Sequence, residues 1–87
     1  MKLVFIIIRD EDGDAVLQAL IDHGFRVTRV ASTGGFLRRG NLTLMTGIEN
    51  EQVEVVIDLL RKTCCPPDAP EHRATIFVVD MLAYEQI

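Results

Sequence analysis

The chain has 87 residues, 48% of them hydrophobic and 25% charged, with 13 acidic against 9 basic side chains and a formal net charge of −4. That length holds a single domain, residues 1–87, whose modest core is well served by partner subunits, so a homo-oligomer is expected. The acidic balance excludes a surface that attracts nucleic acid over its whole extent.

Leu3-Val4-Phe5-Ile6-Ile7-Ile8 is a continuous β-branched run and predicts a strand buried on both faces. It is too short to cross a bilayer. Arg9-Asp10-Glu11-Asp12 follows without a small-residue cleavage site, so neither membrane insertion nor a signal peptide is expected, and a cytoplasmic location is. The acids of 10–14 cap a helix in which Val16, Leu17, Leu20 and Ile21 recur at helical spacing, and Gly24 stands where a helix C-terminal glycine belongs. Phe25-Arg26-Val27-Thr28 alternates as a half-buried strand does, and the slip at Arg29-Val30 marks a bulge or a sheet edge. A glycine-punctuated loop, Ser32-Thr33-Gly34-Gly35-Phe36-Leu37-Arg38-Arg39-Gly40-Asn41, leads into a third strand over 42–48. Asn50 predicts the cap of a second helix, with Val53, Val56, Ile57 and Leu60 on one face and Arg61 and Lys62 at the end the dipole favours. Cys64 and Cys65 are adjacent, too close for a relaxed disulfide and too few for a zinc site. Pro66, Pro67 and Pro70 make a loop, Thr75-Ile76-Phe77-Val78-Val79 is the last strand, and residues 81–87 form a short tail. The order β-α-β-β-α-β predicts an α+β, ferredoxin-like fold: an antiparallel sheet with two helices on one face and the other face open for partners.

An enzyme is not expected. His23 and His72 sit at a helix end and in the proline loop, outside any nucleophile or metal motif, and no cofactor or metal site is read. The acids of 10–14 lack EF-hand spacing and its closing glutamate. Residues 35–40 fail as a P-loop because Asn41 stands where lysine is required. The same loop still offers binding chemistry. Gly34 and Gly35 can turn successive N–H groups toward an anion, Phe36 can stack on a base, and Arg38 and Arg39 can meet phosphate. Arg26 and Thr28 lie on the polar face of the neighbouring strand, and the Asn41 amide matches the N6 and N7 edge of adenine. Gly47, inside a strand, marks close approach of a ligand or a backbone. A structural hairpin whose Phe36 and Leu37 cover a hydrophobic edge fits the same residues, and composition alone does not choose a nucleotide.

Arg26-x-Thr28, the run Thr33-Gly34-Gly35-Phe36-Leu37-Arg38-x-Gly40-Asn41, and Gly47 closely resemble the PII-like cyclic di-AMP receptor proteins. So do the opening Met1-Lys2-Leu3-Val4 and the ending Ala74-Thr75-Ile76-Phe77-Val78 through Gln86; the resemblance spans nearly the whole chain except 65–73. It implies a signal-transducing homotrimer with ligand sites in the clefts between neighbours. Arg26, Thr28, Gly35, Phe36, Leu37, Asn41 and Gly47 would surround one adenine-phosphate portion, with Phe77 and Gln86 from the adjoining subunit. Occupancy would pass to an unidentified downstream protein through mobile loops. Family members carry a long loop between the second helix and the last strand; here only residues 64–73 connect them. Two other readings stay open: a PII-like trimer for ATP, ADP or AMP, and a structural trimer with a vestigial site.

Overall fold

A computed structural model of the chain describes residues 1–33, 40–64 and 73–87. Its strands are β1 (Lys2–Arg9), β2 (Thr28–Ser32), β3 (Asn41–Ile48) and β4 (Ala74–Asp80); its helices are α1 (Gly13–Asp22) and α2 (Val53–Thr63), each entered through a single 3-10 turn. The strands form one antiparallel sheet in the order β2-β3-β1-β4, and the fold is the expected ferredoxin-like α+β arrangement. Among the described residues no helix is long and apolar enough to cross a membrane.

The pleat decides which side chains meet the helices. Val4, Ile6 and Ile8 of β1 and Leu42, Leu44 and Ile48 of β3 point to one face, where Val16 and Leu20 of α1 and Val56 and Leu60 of α2 close the core. Each of these buried aliphatic side chains contributes about 1.5–3 kcal/mol relative to exposure. β1 is therefore not buried on both faces as its apolar run predicts, because the second layer covers one side only. Leu3, Phe5 and Ile7 stand on the opposite face, only partly covered. Strand register sets Met45 and Phe77 on either side of Phe5, and Gly47 and Val79 on either side of Leu3. The result is an apolar stripe across the open face, with Phe77 53% exposed.

Several boundaries differ from the sequence expectations. β2 begins at Thr28 rather than Phe25, because Phe25 is buried and its N–H bonds to the Leu20 carbonyl, closing α1 instead of joining the sheet. The slip at Arg29-Val30 is a register shift between Arg29 and Ala31 in an edge strand. Gly24 takes φ +85°, the left-handed conformation a helix-ending glycine supplies. The second helix is capped by Glu49, one residue before Asn50: the Glu49 side chain accepts from Gln52, and the Gln52 side chain accepts the Glu49 N–H at 3.0 Å.

Candidate ligand-binding site

Arg26 and Thr28 bracket the entry to β2. The buried Thr46 of β3 donates its hydroxyl to the Arg26 carbonyl at 2.6 Å, which fixes the backbone of that entry against the sheet. A cavity of about 250 Å3 opens beside it at this end of the molecule. Its walls are Arg26 and Thr28, Met45 and Gly47 of β3, Leu3 of β1, and three residues of the C-terminal tail: Met81, Tyr84 and Gln86. The tail returns because the Met81 N–H bonds to the Met1 carbonyl at 3.1 Å. A Cβ at Gly47 would stand 3.1 Å from Met81 Cε, so strand and tail side chain approach closely there.

Four polar side chains face this cavity with hydrogen-bonding capacity unspent: among the described residues none of Arg26, Thr28, Tyr84 and Gln86 has a side-chain partner. At the β1–α1 junction several polar groups are paired. Ser32 donates to both Asp10 carboxylate oxygens at 3.0 Å, and Arg73 reaches Glu11 at 3.1 Å and Asp12 at 3.2 Å. Burial works against the charge of Arg73, but Asp12 and then Glu11 outweigh it and hold the guanidinium pKa above its ordinary value. The acids of 10–14 are thus not simple helix caps. Asp10 and Asp12 are about nine-tenths buried, make no side-chain cap bond, and tie the β1–α1 junction to β2 and to the start of β4. Among the described residues no group of three acids, histidines or cysteines could hold a metal ion.

The expected site residues divide into groups. Arg26, Thr28, Gly47 and Gln86 line one cavity within the chain. Asn41 lies at the other end of β3. Its N–H bonds to Thr33 Oγ1 at 2.8 Å and its carbonyl accepts the Thr33 N–H at 3.0 Å. It lines a second cavity of about 290 Å3 with Gly40, Arg9, Arg73 and Thr75. The six residue steps from Asn41 to Gly47 span about 20 Å of extended strand. Phe77 is two strands from Met45, about 10 Å across the open face, and outside both cavities. Gly35, Phe36 and Leu37, with Gly34, Arg38 and Arg39, lie outside the described residues. Met81 and Tyr84 were invisible to sequence reasoning, since a short irregular tail has no periodicity to show which side chains turn back.

An α+β sheet with one open face and a polar-rimmed cavity at its edge defines a small binding module. The cyclic-di-AMP receptor family matches this chain over residues 1–68, and the chain belongs to that family. The matched stretch holds Arg26, Thr28, Asn41 and Gly47, and ends before Phe77, Tyr84 and Gln86. The chain is also similar to a functionally unknown protein from Pediococcus pentosaceus ATCC 25745, known from its crystal structure. The two share 32% sequence identity and a TM-score of 0.79, over 99% of this chain and 96% of that one.

Proposed function

We propose that this chain is a cytoplasmic sensor, not an enzyme, that binds cyclic di-AMP as a homotrimer with sites in the clefts between subunits. The observation that carries the reading is the convergence of Arg26, Thr28 and Gln86 on one cavity, in a chain of the cyclic-di-AMP receptor family. The position of Asn41 favours a dinucleotide over AMP. A ligand with two bases on a sugar-phosphate ring has two ends to offer, one for Arg26, Thr28 and Gly47 and one toward Asn41, whereas AMP has a single base.

The loop that leaves at Thr33 and returns at Gly40 carries Phe36 for stacking and the Gly35 and Leu37 backbone for phosphate. Phe77 joins a site only from the adjoining subunit, because within one chain it stands across the open face from Met45. Gln86 is contributed by the chain's own tail. The downstream partner is a protein that reads ligand-dependent change in the loops. The test is calorimetric titration with cyclic di-AMP, ATP, ADP and AMP in parallel. Cyclic di-AMP is expected to bind most tightly; tighter binding of a mononucleotide moves the assignment to that ligand, and no heat with any of them leaves a structural trimer.

A further inference from the structure

We infer that Tyr84 is a ligand-contacting residue of the Arg26–Gly47 cavity, its ring stacking on the base held there. The inference rests on the nucleotide reading above and adds a residue that the family match, ending at residue 68, does not reach.

Tyr84 lines the cavity and yet is 65% exposed. Among the described residues its hydroxyl has no hydrogen-bond partner. A tyrosine kept for packing covers its ring and bonds its hydroxyl to a neighbour; this one does neither. The surrounding tail is not held by apolar burial, since Leu82 and Ile87 are fully exposed. The attachments in view are the Met81 N–H to the Met1 carbonyl and the seat of Met81 over Gly47. The tail therefore returns to the sheet edge and presents an aromatic face to a cavity without spending it on the core. Met45, Met81 and Leu3 supply the same cavity with apolar lining suited to a flat ring, and methionine sulfur adds favourable contact with aromatics. At about 250 Å3 the cavity is smaller than a pocket for a whole drug-sized ligand and fits one base with part of its sugar. Thr28 and Gln86 then supply donors and acceptors for the edge of that base, and Arg26 a cation for the phosphate that follows it.

The chain carries its own reporter, because Tyr84 is its only tyrosine and it has no tryptophan. Titration of the wild-type protein with cyclic di-AMP should quench tyrosine emission, with the same midpoint as the calorimetric isotherm. Tyr84→Phe should abolish the signal and lose less affinity than Tyr84→Ala, since the ring is retained. Tyr84→Ala should bind about 5- to 150-fold more weakly, the range base–aromatic stacking supplies, with an unchanged melting temperature for the unliganded protein. Normal heat of binding with unchanged emission overturns the role of Tyr84 and leaves the receptor reading standing. Should Tyr84→Ala fail to fold, the wild-type emission titration decides alone. Absence of any heat with the wild type overturns both.

Discussion

Arg26 and Asn41 ask different things of a ligand. The Asn41 amide offers one acceptor and two donors, which together match adenine N6–H and N7. Guanine presents O6 in place of that donor, so the match is lost. Asn41 therefore supports a preference for cyclic di-AMP over cyclic di-GMP of about 1–3 kcal/mol. Arg26 carries a charge, and a phosphate satisfies it whatever the base. Competition titrations should show Asn41→Ala shrinking the preference between the two dinucleotides, and Arg26→Ala weakening both alike. Equal wild-type affinity for the two removes Asn41 from base recognition. The distance along β3 sharpens the comparison, because the two substitutions act on opposite ends of the site and their effects should add.

At the scale of elements, the β1–α1 junction is the knot of the fold. The Asp10 N–H bonds to the Gly40 carbonyl at 2.9 Å, and the Asp10 carboxylate takes the hydroxyl of Ser32, the last residue of β2. Asp12 takes Arg73, which leads into β4. One short acidic turn thus holds the end of β2, the return of the glycine-rich loop just before β3, and the approach to β4. Asp10 is only 8% exposed, so removing its side-chain partner leaves a buried carboxylate short of a hydrogen bond. Ser32→Ala should cost about 1–3 kcal/mol, read from the midpoint of denaturant unfolding. A change within error would show the Asp10 carboxylate to be satisfied without Ser32.

For the whole molecule the decisive feature is the open sheet face. Leu3, Phe5, Ile7, Met45, Phe77 and Val79 line one side of the sheet, and among the described residues no helix or strand lies over them. Under the proposed trimer, partner subunits would cover that stripe and bring Phe77 of one chain toward the cavity of another. The homotrimer is therefore expected to fail when the stripe is charged. Phe77→Lys with Val79→Lys should give a folded monomer by light scattering and circular dichroism, with cyclic di-AMP affinity reduced because the cleft is no longer closed. A double variant that remains trimeric puts the interface elsewhere. One that loses the trimer but binds undiminished confines the site to a single chain.

Local order was readable residue by residue. Helical spacing of Val53, Val56 and Leu60, the position of Gly24 and the slip at Arg29-Val30 report on neighbours a few residues away, and the element order follows from them. That Arg26, Thr28 and Gly47 would share one cavity was suggested for the same reason, as polar and glycine positions that a plain hairpin does not require. Proximity between distant parts of the chain was decided only by the tertiary structure. Asp12 and Arg73 are 61 positions apart, so two residues that read as a helix cap and a loop end turn out to be one part-buried ion pair. The continuous apolar run of β1 could not tell one covered face from two, since coverage depends on where both helices land. The end of β3 that holds Asn41, and the return of Tyr84 and Gln86 across Gly47, depend on strand register and chain reversal, which no local pattern encodes.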